Sequence, residues 1–339
     1  MFTSKFRTSA VLSLWLLVAM FSLPGTVKAL TLSPTRFELF GEPGQTLSGE
    51  IKLINETNKT ETLYVTYANF EAQGESGTPA FVTPDEGIGT WIQTEKDTYV
   101  VPPGKQELVP FTISIPKNAE PGGNFGVVFF GNTPSNSSQV AVGSQTGVLI
   151  LLSVAGDVRE DAGLLSFNTE GNKFWYKTLP VTFEYRFKND GGDRVKPLGK
   201  INIRNTFFIR TERLNANPIE GNVLPGSTRK FKIDWLEYEK PLDYVTPSGF
   251  LARYFDNVTY QWKNFALGFY SANLRLEYGS APEKDRDSTF FFVFPWELFI
   301  VLIIVLSIVF FSGRFALRRY NRYIIAQAQK GSIRDNTHE

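Results

Sequence analysis

Residues 181–188 read VTFEYRFK, and apolar and polar side chains alternate along this stretch without a break. The same period of two recurs at residues 111–115, 230–235 and 274–278. Because successive side chains of a β-strand point to opposite faces, each segment is predicted to be a strand with one buried and one solvated face. Such strands are typical of antiparallel sheets that pack as a sandwich.

Turn-forming residues separate these predicted strands. Clusters of Pro, Gly, Asn and Asp occur at residues 102–104, 121–124, 189–192 and 225–226. We find no helical period of useful length before residue 296. The chain is therefore predicted to have an all-β ectodomain of two immunoglobulin-like β-sandwich modules, residues 30–160 and residues 161–289.

The layout of the two predicted modules is similar. In each one, a strand, a polar turn and a second strand precede a Pro-Gly turn that leads into a further alternating strand. These last segments are VPPGKQELVPFTI at residues 101–113 and VLPGSTRKFKI at residues 223–233. The order of strands and turns is similar in the two modules, whereas their amino-acid sequences are not.

Residues 1–29 have the features of a signal peptide. Lys5 and Arg7 precede an apolar run at residues 10–23, and residues 27–29 (VKA) form a cleavage site. The apolar run is short for a bilayer span, which needs about 20 residues. We expect export and cleavage after Ala29, with an uncleaved membrane anchor as the alternative.

A second apolar segment, residues 290–316, is predicted to be a transmembrane helix. Its only charge between Phe290 and Phe311 is Glu297, which we expect at headgroup level beside Trp296. A helix of about 20 residues is enough to cross a bilayer. A buried core helix, the alternative, would need a polar face, and the segment has none. Residues 290–316 are therefore expected to contact the lipid bilayer.

Residues 317–339 are predicted to form a basic cytoplasmic tail. Four arginines crowd the end of the predicted span: Arg314, Arg318, Arg319 and Arg322. Lys and Arg beside a span remain on the cytoplasmic side, so these arginines and Trp296 are the predicted topology anchors. The expected product is a single-pass protein of the cell membrane with its N-terminal ectodomain outside. The tail either fixes topology alone or also binds anionic lipid or a cytoplasmic partner.

Composition excludes several kinds of chemistry. The chain has no cysteine and one histidine, His338, which excludes disulfides, zinc–thiolate sites and a Ser-His-Asp triad in the ectodomain. The net charge of +1 gives no global field that would attract nucleic acid. No phosphate-binding Gly-rich loop or calcium loop is evident. We predict a protein that is not an enzyme and that has no catalytic residue, cofactor or metal ion.

Four aromatic residues are the candidate binding residues: Trp91, Trp175, Tyr176 and Trp262. Large flat side chains can form a platform for a sugar polymer, because they offer apolar area at a low cost in conformational entropy. The alternative is that these residues fill the sandwich cores.

Three motifs in the first predicted module resemble a known family. They are GEPGQTLSGEIKLINET at residues 41–57, VPPGKQELVPFTISIP at residues 101–116 and PGGNFGVVFF at residues 121–130. They are similar to the peptidoglycan-binding domain of the WxL-interacting protein family of Gram-positive bacteria. The motif resemblance covers residues 32–158, and the order of signal peptide, two modules, span and basic tail is also similar. It implies attachment to peptidoglycan and docking of secreted surface proteins.

The leading hypothesis is a membrane-anchored extracellular scaffold or adhesion protein that binds the cell wall or other surface proteins. One alternative is a structural subunit of an envelope or export membrane complex, suggested by Glu297 and Ser307 within the apolar segment. Another is a wall hydrolase that uses a pair of carboxylates.

Overall fold

The computed structural model describes residues 29–133, 145–280 and 283–335, with side chains as far as Ile325. The predicted signal peptide lies outside the described residues, except for Ala29. The chain divides into two units. One consists of Met1–Glu71 and Ala80–Asp157, and the other of Ala72–Pro79 and Val158–Glu339.

The described residues between 30 and 154 form ten strands. They are β1 (Leu30–Ser33), β2 (Arg36–Gly41), β3 (Thr46–Asn55), β4 (Glu61–Gln73), β5 (Thr78–Val82), β6 (Ile92–Thr94), β7 (Thr98–Val101), β8 (Gln106–Ser114), β9 (Gly122–Gly131) and β10 (Gln145–Val154). One sheet has the order β1-β3-β8-β6, and the other has the order β2-β10-β9-β4-β5, with β7 paired to β4. The pairing of β2 with β10 is parallel.

The core of the first unit comes from alternate residues of both sheets. Ile51 on β3 and Ile113 on β8 are fully buried, and so are Val128 on β9 and Ile150 on β10. The alternation predicted at residues 111–115 is confirmed, because Phe111 and Ile113 are buried while their neighbours are exposed. Each such side chain contributes about 1.5–3 kcal/mol through burial of apolar area.

From residue 162 to residue 293, the part of the chain that the structure describes forms eight strands. They are β11 (Ala162–Thr169), β12 (Trp175–Tyr176), β13 (Val181–Asn189), β14 (Leu198–Asn205), β15 (Arg210–Asn215), β16 (Ser227–Trp235), β17 (Gly268–Tyr278) and β18 (Glu283–Val293). A three-stranded sheet has the order β11-β13-β16, and a five-stranded sheet has the order β12-β18-β17-β14-β15. The short strand β12 pairs with β18 in parallel.

The core of the second unit is centred on Phe291 of β18. The Phe291 ring stacks on Tyr270 with 5.5 Å between centroids, and it meets the edge of Phe183 at 5.5 Å and of Trp235 at 6.0 Å. Such ring pairs each contribute about 0.5–1.5 kcal/mol beyond their buried area. The strand predicted at residues 230–235 is confirmed as β16, with Trp235 in the core.

A buried asparagine serves the same purpose in both units. At the end of β3, Asn55 Nδ2 donates to the carbonyls of Lys59 (2.7 Å) and Val101 (2.8 Å). At the end of β13, Asn189 Nδ2 donates to the carbonyls of Asp193 (2.7 Å) and Val223 (2.9 Å). Val101 and Val223 each precede a Pro-Gly turn. The two asparagines therefore stabilise equivalent turns, and the two units share this part of the predicted layout.

The described residues of the second unit also form two α-helices, α1 (Phe250–Lys263) between β16 and β17, and α2 (Trp296–Asp335) after β18. The prediction of an all-β ectodomain without a helix before residue 296 is therefore wrong at α1. Helix α2 is long and apolar enough over Trp296–Ile325 to cross a membrane, and its side chains there are almost entirely exposed.

The predicted span of residues 290–316 begins too early. Residues 290–293 belong to β18, where Phe291 and Val293 enter the core and Phe290 is exposed. A strand buried on one face and rich in aromatic residues has the same apolar composition as the start of a span, which explains the error. Helix α2 also continues beyond residue 316, through the predicted tail to Asp335.

Candidate functional site

Three predicted aromatic residues lie around the start of α2 in the second unit. Trp175 on β12, Trp262 on α1 and Trp296 at the first position of α2 are all exposed. Tyr176 instead belongs to the core of that unit, and Trp91 packs against the core of the first unit. We call the surface that these three exposed tryptophans form around the N-terminus of α2 the α2 end.

The connection from β18 to α2 consists of Phe294 and Pro295 alone. The amide of Phe294 donates to the carbonyl of Tyr176 at 2.9 Å, and the amide of Phe299 donates to the carbonyl of Pro295 at 3.2 Å. The parallel strand β12 therefore holds the connection to the sheet. Proline at this position also restricts the backbone, since its ring fixes φ.

Glu297 is buried in a polar junction between the two helices, with 5% of its surface exposed. Its Oε2 accepts a hydrogen bond of 2.6 Å from Gln261 Nε2, and its Oε1 lies 3.5 Å from Lys177 Nζ. Its backbone carbonyl accepts from Tyr254 Oη at 2.9 Å. A carboxylate in the first turn of a helix also interacts favourably with the helix dipole. These partners meet the requirement that a buried charge be paired.

Helix α1 directs its polar side inward and an apolar stripe outward. Leu251, Phe255 and Trp262 are 67%, 56% and 71% exposed, and half-buried Val258 lies on the same stripe. Their spacing of four, three and four residues places them on one helix face. Because an ordinary surface helix buries its apolar face, the orientation of α1 indicates a partner outside the folded chain.

The polar side of α1 is fixed to the loop that precedes it. Lys240 Nζ lies 2.7 Å from Asp256 Oδ2, and Tyr244 Oη donates to the other oxygen of the same carboxylate. These hydrogen bonds, that of Lys240 foremost, hold the pKa of Asp256 below its usual value. Burial raises the pKa of Tyr260 on the same side of the helix. The orientation of α1 is therefore set from two directions, by this loop and by Glu297.

A row of aromatic rings connects the sheet surface to α2. The Trp175 ring lies 4.7 Å from Phe292, which lies 4.6 Å from Phe269 on β17. Phe292 is followed by Phe294 at 6.5 Å, which stacks on Phe299 of α2 at 5.2 Å. The apolar surface of the sheet thus continues into the apolar surface of the helix.

The hairpin between β14 and β15 adds a further apolar element at this end. Its tip, residues 207–209 (FFI), is exposed, and Asn205 Oδ1 accepts from the amides of Phe207 (3.0 Å) and Ile209 (3.2 Å). Thr206 Oγ1 donates to the carbonyl of Phe269 at 3.1 Å, which fixes the tip beside the aromatic row. Neighbouring exposed apolar side chains of this kind are typical of membrane or protein contact sites.

The predicted arginine anchors lie on the exposed surface of α2. Arg314 follows Trp296 by 18 residues, which corresponds to about 27 Å at a rise of 1.5 Å per residue. The hydrocarbon core of a bilayer is about 30 Å thick. The helix therefore has an aromatic residue and a cation that are separated by about the thickness of a bilayer core.

Sequence reasoning missed α1, the hairpin tip and the intramolecular role of Glu297. The stripe of Leu251, Phe255, Val258 and Trp262 was a usable helical signal, because its period of four, three and four is readable without a structure. The partners of Glu297 come from α1 and from Lys177, so no local pattern reveals them. Since these partners already bind Glu297, it no longer supports a role in contacts between subunits.

The described part of the chain shows no grouping of three or more His, Cys, Asp or Glu side chains suited to a metal ion. The arrangement at the α2 end is apolar and aromatic around one internally paired carboxylate. Its chemistry is that of a contact surface.

Comparisons with known proteins identify no family. No family model matches the chain, and no curated protein matches it. Among solved structures, the class 5 fimbriae chaperone CfaA is 11% identical and has a TM-score of 0.35, covering 78% of this chain and 99% of its own. A chaperone–tip adhesin complex of CFA/I fimbriae is 10% identical with a TM-score of 0.36, covering 78% and 98%. The CsuC–CsuE pre-assembly complex from Acinetobacter baumannii is 12% identical with a TM-score of 0.35, covering 77% and 97%.

Proposed function

We propose that this chain is a membrane-anchored β-sandwich protein of the cell surface, a non-enzymatic scaffold or adhesion module. In this proposal α2 crosses the bilayer, and the α2 end of the second unit rests on the outer leaflet. The observation that carries it is the continuity of exposed apolar surface from α1 and the aromatic row into α2. Trp and Phe side chains favour the boundary between headgroups and acyl chains.

The orientation follows from the charges of α2. Arg314, Arg318, Arg319 and Arg322 lie beyond the apolar stretch, and such cations stay on the cytoplasmic side. The strand-rich units then lie outside the cell membrane, as the predicted signal peptide also requires. The resemblance of residues 32–158 to the WxL-interacting family suggests peptidoglycan or a secreted surface protein as the partner.

The absence of cysteine allows a direct test of the seating on the bilayer. Single cysteines at Leu251, Phe255 and Ile304 would carry an environment-sensitive fluorophore, in full-length protein reconstituted into phosphatidylcholine vesicles. Quenchers attached at different acyl-chain depths report the depth of each label. We expect deep quenching at Ile304 and shallow quenching at Leu251 and Phe255.

Leu165 provides the matched control. Leu165 is an exposed leucine on β11. Its neighbour Leu164 pairs with Phe187, which is near the C-terminus of β13 and far from the α2 end. A label at Leu165→Cys is expected to remain unquenched at every depth. If the labels at Leu251 and Phe255 show no shallow quenching, the α2 end does not rest on the bilayer. If the label at Ile304 shows no deep quenching, α2 does not cross the bilayer.

Orientation is tested with a membrane-impermeant maleimide on spheroplasts of a bacterial expression host. Leu165→Cys is expected to react in intact spheroplasts, and Tyr323→Cys only after lysis. The reverse pattern would overturn the proposed location. Binding to the wall is tested by sedimenting the full-length protein in nanodiscs with purified sacculi, where recovery no greater than that of empty nanodiscs would argue against peptidoglycan.

A further inference from the structure

The outer face of the five-stranded sheet in the second unit carries a cluster of cations. Six residues form this basic face: Lys200 and Arg204 on β14, Arg210 and Arg213 on β15, Arg275 on β17 and Arg286 on β18. All except Arg286 line a groove of about 810 Å³. Phe208 of the hairpin tip also lines this groove, so the basic face adjoins the apolar α2 end, although α2 does not need these cations to cross a bilayer.

The strand register places like charges opposite one another. Lys200 pairs with Arg275 across β14 and β17, and Arg275 pairs with Arg286 across β17 and β18. Residues that face each other in this way have Cβ atoms about 4.5–5.5 Å apart, and like charges at that distance destabilise a sheet. The arrangement therefore weakens the fold, which is expected where the charges serve to bind a ligand.

Carboxylates are largely turned away from this face. In β18, Asp285 and Asp287 alternate with Arg286, and the Asp285 carboxylate accepts from the Leu164 amide (2.7 Å) and Tyr278 Oη (2.8 Å). The carboxylate in the groove, Glu277, pairs with Lys284 at 3.3 Å. None of the six cations forms an ion pair with another residue in the described ranges. Their donors are open to a ligand.

We infer that the basic face binds a linear polyanion whose charges are phosphate groups. Lys200 and Arg204 are about 13 Å apart along β14, at 3.3 Å per residue, and the neighbouring strands β15, β14, β17 and β18 extend the face by about 14 Å across. One phosphate ion would contact only a small part of that area, whereas a chain of phosphates would contact all of it. Five of the six cations are arginines, whose planar guanidinium groups bind phosphate through two parallel hydrogen bonds.

The bilayer itself is a poorer ligand for the part of this face that lies furthest from the α2 end, whereas Arg204 and Arg210 flank the hairpin tip. Arg275 is seven residues along β17 from Gly268, which pairs with Val293 at the α2 end, a distance of about 23 Å. Charges of lipid headgroups are screened over about 8 Å at physiological ionic strength. The inference rests on the proposed function in one respect, since seating at the α2 end presents the groove to a polymer outside the membrane.

The test uses full-length protein in phosphatidylcholine nanodiscs and fluorescent inorganic polyphosphate at physiological ionic strength. The variant Arg275→Gln/Arg286→Gln is expected to weaken binding at least about tenfold, since it removes two cations that would form charge-assisted hydrogen bonds with phosphate. The matched variant Lys188→Gln/Lys232→Gln removes two charges from the other sheet, and we expect a change of less than about twofold by the same scale. Equal losses in both variants, or no binding by the wild type, would overturn the inference.

Three further probes identify the ligand class. Polyglutamate that binds as tightly as polyphosphate would overturn the assignment to phosphate. A single-stranded oligonucleotide or vesicles of anionic lipid that bind more tightly would reassign the face to nucleic acid or to the bilayer. Incorporation into nanodiscs is measured beforehand by co-elution, so failure of the span is recognised separately from failure of the basic face.

Discussion

The side chain of Gln261 bridges the two helices through Glu297, donating from Nε2 to the carboxylate at 2.6 Å and accepting at Oε1 from the amide of Leu298 at 3.0 Å. The one amide thus pairs a buried charge and satisfies a free N–H in the first turn of α2. Helix α1 is held to α2 by this bridge, so the direction of its exposed stripe depends on it.

Replacing Gln261 by alanine is expected to loosen α1. The change removes the hydrogen bonds of Glu297 Oε2 and of the Leu298 amide, both buried, at a cost of about 1–3 kcal/mol. The amides of α1 should then exchange with deuterium about tenfold faster or more in nanodisc-embedded protein. Thr259→Ala, which alters an exposed hydroxyl of the same helix, serves as the control. Equal exchange in both variants would show that the bridge does not hold the helix.

Two neighbouring phenylalanines distinguish a strand from a span. Phe291 is 0% exposed at the centre of the core, whereas Phe290 is 65% exposed. We expect Phe291→Ala to destabilise the fold by about 3–5 kcal/mol and Phe290→Ala by less than about 0.5 kcal/mol. Denaturant titration of the full-length protein in micelles measures both. If both substitutions changed the free energy of unfolding by a similarly small amount, residues 290–293 would lie outside the sheet.

The equivalent asparagines of the two units should have equivalent effects. Asn55→Ala and Asn189→Ala each leave two backbone carbonyls without their donor, and we expect a loss of about 2–3 kcal/mol in each case. Pulse proteolysis in urea can follow cleavage within each unit separately. Gln106→Ala, at an exposed position, is the control. A loss confined to one asparagine would contradict a shared structural role.

The Lys240–Asp256 pair predicts a pH dependence. Since the pKa of Asp256 is lowered by its hydrogen bonds to Lys240 and Tyr244, the pair stabilises the fold at pH values above about 4, near the unfolded pKa. That contribution is lost as the pH falls through the lowered folded pKa. Asp256→Asn should therefore reduce the melting temperature at pH 7 but not near pH 2. Asp287→Asn, an exposed control, should change little, and a pH-independent effect of Asp256→Asn would refute the assignment.

The basic face predicts opposite changes in stability and binding. Arg275→Thr relieves repulsion from Lys200 and Arg286 and introduces a residue that favours strands, so the melting temperature should rise. The affinity for polyphosphate should fall in the same variant. Thermal unfolding and binding titration of one preparation give both values. A variant that is less stable than the wild type would indicate that Arg275 has a structural role instead.

Much of the fold could be predicted from alternation, because a strand with one buried face carries its own period of two. This held for β8, β13, β16 and β17, each found at its predicted place. Alternation failed at residues 290–293, where apolar residues on both faces of β18 resemble the beginning of a span. The prediction missed helix α1, although the helical spacing of its apolar stripe from Leu251 to Trp262 is visible in the sequence.

The candidate site was predicted only in part. Exposed Trp175 and Trp262 lie at the α2 end, but Tyr176 and Trp91 pack against cores, and composition alone does not separate the two outcomes. The basic face was not anticipated, since its cations come from four strands distant in sequence. Only the pairing of β14, β17 and β18 brings Lys200, Arg275 and Arg286 into one row.

The connection between β18 and α2 has a mechanical consequence. The Phe294 amide is hydrogen-bonded to the Tyr176 carbonyl, and Pro295 restricts backbone rotation. The strands of the second unit therefore cannot rotate freely relative to α2. A domain on a flexible tether searches a volume, whereas the second unit, if α2 crosses the bilayer as proposed, would meet ligands at a constant distance from the membrane and a constant tilt. Encounters would then depend on lateral drift of the whole molecule in the plane of the membrane.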